Sequence, residues 1–469
     1  MKVINTFRIN KTKKNLTQKA IRLNQKGLKN LLFGKVQEAI NSFEQSITAD
    51  YKYPDPYFNL GNIYIQNDDF LLSENFYEKA IQFNNKNPDY FYNLAITKYN
   101  LNKIDEAIIN YQKSIELEPE NFKAYKFLGN CYKDLKNFPK AISTYNDWQR
   151  LDIHNPEPIF NKSLIHIRNG RFDIGWLLYE NGLKNNIREP FDGFYREKKN
   201  YWNGAPFDGT LLVYGEQGLG DQIVFGTLIP ELLLVQTKVI LKVDRRLMKL
   251  FKSTFPEIVV VSENETISEN KYQKFISMGS LCKFYRKTTD DFMKSQFKTY
   301  STKNTLNKYY RNQLKKLKNL KIGISWFSFS EKSGNQRSLK DEEVSKIINY
   351  SDNSFINLQY GDVSKSISNF SNLPKKNFFT LDGLDLNNDL DNIISVIKHC
   401  DLIITIDNTI AHLAGALGKQ VWILLPYSAD FRWMENVTAT LWYENALLIR
   451  QNKPGSWDNV FQTIKHAFS

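Results

Sequence analysis

A 34-residue period governs the first third of this chain. Gly27, Gly61, Ala95, Gly129 and Ser163 each fall 34 residues after the last. Twelve residues beyond each stand Ala39, Ser73, Ala107, Ala141 and Gly175, and four further on Phe43, Tyr77, Tyr111, Tyr145 and Tyr179. A unit of that size cannot bury its apolar face alone, so repetition at this period implies a stack of like units. The stretch FNLGNIYIQNDDFLLSENFYEKAIQF carries two amphipathic segments with a polar turn at Gln66–Asp69, which predicts helix–turn–helix. The first small residue lets the first helix approach the second, the next small residue does the same from the other side, and the aromatic fills the space between neighbouring units. Pro54, Pro88 and Pro156 mark the repeat boundary, with Pro119 near it.

This pattern resembles the tetratricopeptide repeat (TPR) family over residues 20–187, about five repeats, behind an N-terminal extension at 1–19. The fifth repeat is degenerate (Ile159, Lys162, Ser163, His166), as a capping or docking unit would be. The family binds peptides or proteins in a groove built mainly from first-helix side chains. Asn59, Asn62, Asn93 and Asn130 fall on those helices at equivalent positions one or two repeats apart. On one reading they hydrogen-bond a peptide backbone. On the other they reflect the abundance of Asn throughout the chain.

After residue 205 the texture changes. LLVY (211–214), VILKV (239–243), IVVV (258–261) and KFISM (274–278) alternate with helical segments, and a second series follows: KIGISW (321–326), SFINLQY (354–360), NFFTL (377–381), DLIITI (401–406) and VWILLP (421–426). Strands alternating with helices predict parallel sheets in two Rossmann-like halves, 209–305 and 306–469, after a linker at 188–208. Ligands of such sheets bind beyond the carboxyl ends of the strands. Those ends carry Gly215–Asp221 and Asp244 in the first half, and Ser325–Trp326, Gln359–Gly361, Asp382–Gly383, Asp407–His412 and Pro426 in the second.

Two of these clusters carry chemistry. In YGEQGLGDQIVFG a strand, a glycine turn (Gly215, Gln217, Gly218, Gly220) and a helix start meet at Asp221. The glycines run G-x-x-G-x-G, and an acid at the helix start would oppose a pyrophosphate, so a dinucleotide site is disfavoured even with Asp244 at the next strand end. In DLIITIDNTIAHLAGALGKQVWILLP a strand ends at Asp407, and Asn408–Thr409 opens a helix bearing His412, Ala414, Gly415 and Ala416. A helix N-terminus, the Thr409 hydroxyl and His412 together predict a diphosphate site, with small residues letting a ligand approach the backbone. Asp407 would hold the turn or a neighbouring donor.

GEQGLGDQIVFGTLIPEL, KIGISW followed by QRSL, and TIDNTIAHLAGALGKQVWILLP resemble the heptosyltransferase-like glycosyltransferases. More closely, they resemble bacterial TPR proteins with such a domain at their C-terminus, and FRWMENVTATLWYENALLIRQ with SWDNV is similar to that family's tail. The resemblance implies a TPR solenoid followed by a GT-B fold. That fold has an acceptor side in the first half, a nucleotide-sugar side in the second, and no metal or cofactor. It gives Asp221 the role of base toward the acceptor hydroxyl, with Gly215, Gln217, Gly218 and Gly220 forming the acceptor-side loop. It gives Ser325, Lys332, Arg337, Asp407, Asn408, Thr409 and His412 to the donor. A single base with no nucleophile implies direct displacement with inversion. Where a glycine-rich W-x-G segment is usual, this chain has WFSFSEKSGNQRSL, so the donor's base and sugar are not implied. Flagellin-like proteins are the acceptor class suggested. The reading from another class is a TPR scaffold whose sugar-nucleotide domain no longer turns over.

Composition bounds the remainder. The formal charge is +13, and 14 Lys/Arg against Asp290 and Asp291 between Lys271 and Lys321 supply most of it. Solvated helix faces account for such a stretch, as does a surface for an anionic acceptor or for peripheral contact with lipid headgroups. No nucleic-acid motif accompanies it. Cys131, Cys282 and Cys400 lie far apart, without zinc spacing. The N-terminus lacks the apolar core of a secretory signal, and no run is long enough to span a membrane. A cytoplasmic protein is therefore expected.

Overall fold

A computed structural model describes residues 2–188, 200–301, 307–330 and 334–469. The chain divides into two compact units, Met1–Pro158 and Ile159–Ser469. No helix among the described residues is long and apolar enough to cross a membrane.

The first unit is a succession of helix pairs: Lys2–Leu32 with Val36–Ala49, Asp55–Gln66 with Phe70–Phe83, Pro88–Asn100 with Ile104–Leu117, and Phe122–Asp134 with Phe138–Leu151. Residues 2–19, expected as a separate extension, are the start of the first helix. A Cβ on Gly27 would stand 2.5 Å from the Phe43 ring, and one on Gly61 2.6 Å from that of Tyr77; Gly129 faces Tyr145 in the same way. The periodic aromatic thus packs first against the small residue of its own repeat. It also reaches neighbours, as where Tyr111 stacks on Phe127 at 6.1 Å.

A second period lies in the backbone. Gly34, Asp68, Asn102, Lys136 and Gly170 all have positive φ, between 59° and 73°. Each lies 34 residues after the last, in the turn inside its repeat. Only two of the five are Gly, so residue type hides a constraint that the fold imposes. The fifth position places the pair Glu157–Arg168 and Phe172–Tyr179 in the same series.

That fifth pair nevertheless belongs with the second unit. Ile167, Phe172, Trp176 and Tyr179 share one buried core with the strands that follow. The boundary expected at 187 therefore moves back to 158. The described ends of the expected 188–208 linker are also fixed: Arg188 is fully buried, and Trp202, likewise buried, donates its backbone N–H to the Phe275 carbonyl at 2.9 Å.

The α/β part has two all-parallel sheets. The first orders β1 (Leu211–Tyr214), β2 (Val239–Val243), β3 (Val259–Ser262) and β4 (Lys274–Ser277) as β3-β2-β1-β4. The second contains β5 (Lys321–Ser325), β6 (Ser354–Asn357), β7 (Phe378–Phe379), β8 (Leu402–Ile406), β9 (Val421–Leu425) and β10 (Ala446–Arg450), ordered β10-β9-β8-β5-β6-β7. β10 was not expected from sequence. The strand order reverses at β1/β4 and at β5/β8, the points where crevices open in parallel sheets. Tyr300 ties the halves together: its hydroxyl donates to the Ile223 carbonyl at 2.7 Å, and its N–H donates to that of Ala416 at 2.9 Å. The basic stretch divides its charges. Lys283 and Arg286 pair with Glu180 and Glu231, whereas Lys308 and Lys315 face solvent on the helix Lys308–Lys315.

Candidate functional site

The loop after β1 is shaped by close approach. A Cβ on Gly215 would meet the Gln222 amide at 2.6 Å, and one on Gly220 would meet His412 Cδ2 at 2.8 Å. Gly218 has open space around it apart from Asp221. The loop's left-handed residue is none of these glycines but Gln217, at φ 57°. Gln217 Nε2 donates to the Tyr179 hydroxyl at 3.4 Å. Its neighbour Glu216 is buried against Arg188, whose Nη2 lies 2.6 Å away, and Arg188 in turn covers the Tyr179 ring at 4.0 Å. Burial opposes the Arg188 charge, and Glu216, Tyr179 and Glu180 outweigh it, so the guanidinium holds its proton more firmly than usual. The fifth repeat thus fastens the loop that presents Asp221.

Asp221 caps its own helix, Leu219–Gly226, by accepting the Gly218 N–H at 3.1 Å, and its other oxygen forms an ion pair with Arg432. Arg432 also binds Asp430 at 2.5 Å. Both lie in the loop after β9, where the sequence points to Pro426 as a strand end and to the segment from Phe431 as similar to the family's tail, without a role for either side chain. An Asp and an Arg five and seven residues beyond the end of β9 were the available signal.

The second cluster is held just as closely. Asn408 Oδ1 accepts the N–H groups of Ile410 (2.9 Å) and Ala411 (3.4 Å), and its Nδ2 donates to Ser325 Oγ at 2.8 Å. Ser325 donates onward to Gln359 Oε1 at 3.0 Å. Ser325 and Asn408 therefore cap and brace the helix Thr409–Ala416, and two of its leading N–H groups are already taken. Asp407, buried, pairs with Arg337 at 3.2 Å, and Arg337 also donates to Ser328 Oγ at 2.9 Å. The Thr409 side chain is half-buried, and its hydroxyl makes no hydrogen bond among the described residues. Lys332 lies outside the described residues. Asp244 pairs with Arg246 at 2.8 Å, which answers its charge locally.

His412 departs from expectation. Its ring stacks on Trp433 with centroids 4.9 Å apart, and Nδ1 is 3.0 Å from the Tyr443 hydroxyl. Burial pushes the imidazole down to about 4, with Arg337 adding to this against Asp407. It is neutral near pH 7, so a charge-assisted bond from it to a diphosphate is not available in this arrangement. The small residues beside it serve packing: a Cβ on Gly415 would meet the Tyr443 ring at 2.5 Å. The sign of the pH effect follows. Below pH 6.5 the unfolded imidazole takes a proton that the folded one refuses, so stability falls as pH drops toward 4. Relative to His412→Phe, the wild type should lose about 2 kcal/mol between pH 7 and 5. Urea midpoints at the two pH values would read this, and a difference independent of pH would refute it. Asp430, pushed up to about 7 by burial and Asp407, acts in the opposite sense and is common to both proteins.

The asparagines of the repeats also have internal duties. Asn59 is buried and donates to Asn24 Oδ1 at 2.9 Å. Asn62 and Asn130 accept the buried hydroxyls of Tyr77 (2.7 Å) and Tyr145 (2.6 Å), which explains their equivalence two repeats apart. Asn93 Nδ2 lies 3.5 Å from Asn62 Oδ1. Asn59 is corrected from a groove residue to a buried one. Among the described residues no group of three His, Cys, Asp or Glu side chains is arranged to hold a metal.

Models of the tetratricopeptide repeat match residues 54–87 and 92–156. The N-terminal region is thus built of tetratricopeptide repeats. Protein FlbA of Caulobacter vibrioides is 24% identical over 389 residues, spanning 77% of this chain and 63% of that protein. RNA polymerase II-associated protein 3 of Homo sapiens is 31% identical over 108 residues, spanning 23% of this chain and 16% of that protein. The chain covers less than two thirds of either relative. Among solved structures, the first TPR of Spaghetti (RPAP3) bound to HSP90 peptide SRMEEVD is 29% identical, covering 26% of this chain and 98% of that one, with a TM-score of 0.25. MamA is 19% identical, covering 34% and 94%, with a TM-score of 0.33.

Proposed function

We propose that this TPR protein is a glycosyltransferase of GT-B type, transferring a sugar from a nucleotide-sugar donor to a hydroxyl of a protein presented by its repeats. One observation carries the reading. The two helix starts beyond β1 and β8 adjoin at Gly220 and His412, and around them converge two carboxylate–guanidinium pairs, Asp221–Arg432 and Asp407–Arg337. Sugar transfer needs a base for the acceptor oxygen and positive charge for the departing diphosphate. Asp221 serves as the base. Arg337 and the unbonded Thr409 hydroxyl serve the leaving group. The positive charge then comes from side chains, and displacement by the acceptor oxygen inverts the sugar carbon. The repeats supply a protein-interaction surface, and a flagellin-like protein is the acceptor proposed.

A reading without turnover, as a scaffold, draws on one fact: each carboxylate is already paired. A thermal-shift screen of the full chain with nucleotide sugars separates the two, followed by assay for release of nucleoside diphosphate. The enzyme reading expects one nucleotide sugar to raise the melting point and to be slowly hydrolysed. Binding without release at any protein concentration would favour the scaffold, and no binding by any of them would remove both.

A further inference from the structure

Arg432 holds a position that the roles above do not use. Its side chain is nine-tenths buried, with Nη2 on Asp221 from the first half and Nη1 on Asp430, 2.5 Å away, from its own loop. Its Nε is buried and has no hydrogen-bond partner among the described residues. An arginine with an unspent donor between two carboxylates is an incompletely satisfied fork.

The backbone beneath it is fixed. Arg168, on the last helix turn before the fifth-repeat loop, fastens both ends of the segment carrying Arg432. Its Nη1 donates to Ser428 Oγ at 2.9 Å, its guanidinium pairs with Glu435, and its carbonyl accepts the Glu435 N–H at 3.0 Å. Between those ends, Phe431 packs against Trp176 and Tyr179, with centroids 6.1 and 5.8 Å away. The loop is thereby held while the Arg432 side chain retains a choice of partners.

Charge sets what that choice is. Asp221, Asp407 and Asp430 face Arg337 and Arg432, three carboxylates to two guanidiniums. An entering diphosphate must compete with carboxylates for these arginines, and a planar fork binds phosphate oxygens well. We infer that Arg432 is a diphosphate-binding residue for which Asp221 competes, so that phosphate binding and release of the candidate base are a single exchange. Burial and Asp407 push the Asp430 carboxyl up to about 7, so one of the three competitors gives up its charge readily. This inference rests on reading the unit as one that takes a nucleoside diphosphate.

Calorimetric titration of the full chain with inorganic pyrophosphate tests it. Arg432→Gln should weaken binding about 10- to 100-fold, the worth of a lost charge-assisted contact. Asp221→Asn should tighten it, by roughly 5-fold, because a competitor for the fork is removed. The second sign matters most, since a misfolded variant does not gain affinity. Arg432→Lys keeps the charge without the fork and should fall between wild type and Arg432→Gln. Wild type that fails to bind, Arg432→Gln that binds as wild type does, or Asp221→Asn without a gain each overturns the inference. The glycosyltransferase reading fails separately. Pyrophosphate results as expected, with no nucleotide sugar turned over, leave the exchange standing and the proposed reaction not. Turnover with Arg432→Gln unaffected does the reverse.

Discussion

Asp221→Asn should lower sugar transfer by roughly 10²- to 10⁴-fold, the range that a positioned general base supplies. The substitution is conservative where structure is concerned. Asp221 caps its helix by accepting the Gly218 N–H at 3.1 Å, and the amide oxygen of Asn keeps that bond. What it loses is the negative charge and the ability to take the acceptor's proton. Initial rates with the donor found by screening, at saturating donor and acceptor, would measure it. A rate within a few-fold of wild type would remove Asp221 as base. The pairing with pyrophosphate makes the expectation sharper: the same variant should bind the phosphate probe more tightly and transfer more slowly. A general loss of structure cannot produce that combination.

The second large effect is on stability. Arg188→Met should destabilise the α/β unit by about 3–5 kcal/mol, because it leaves Glu216 charged and unpaired in the interior. Both side chains are fully buried, and among the described residues Glu216 is bonded to Arg188 and Ser277. Adding Glu216→Leu removes the stranded charge, and the double variant should recover much of the loss. Denaturant midpoints for the four proteins of this cycle give the coupling directly. A change under about 1 kcal/mol for Arg188→Met would mean that water or another group satisfies Glu216.

How far the sequence disclosed these features depended on whether the relevant contact was local. The repeats were legible because Gly61 and Tyr77, sixteen residues apart, meet inside one unit and recur. The turn positions Asp68, Asn102 and Lys136 were not, because different residue types adopt one backbone conformation. Parallel strands were legible as β-branched runs, except β10, whose ALLIR follows an irregular segment. The site divides likewise. Gly220, Asp221, Asp407 and His412 announced themselves by their place after strands, whereas their partners did not. Arg432 meets Asp221 across 211 residues, and Arg168 meets Glu435 across 267; no spacing rule reaches that far. His412 shows the converse limit. Its place at a helix start suggested a charged donor, but Trp433 and Tyr443, which make it neutral, come from distant loops.

The fifth helix pair carries the 34-residue signature of an array yet lies in the core of the neighbouring unit. Genetic exchange among repeat proteins is therefore constrained in where it can cut. A crossover near residue 187 would separate Arg168 from Glu435 and Tyr179 from the loop after β1. One upstream of residue 157 would leave the contacts within the second unit intact. Whole repeats can be gained, lost or replaced there in steps of 34 codons, so the array is free to diversify while the core of the second unit is inherited unchanged.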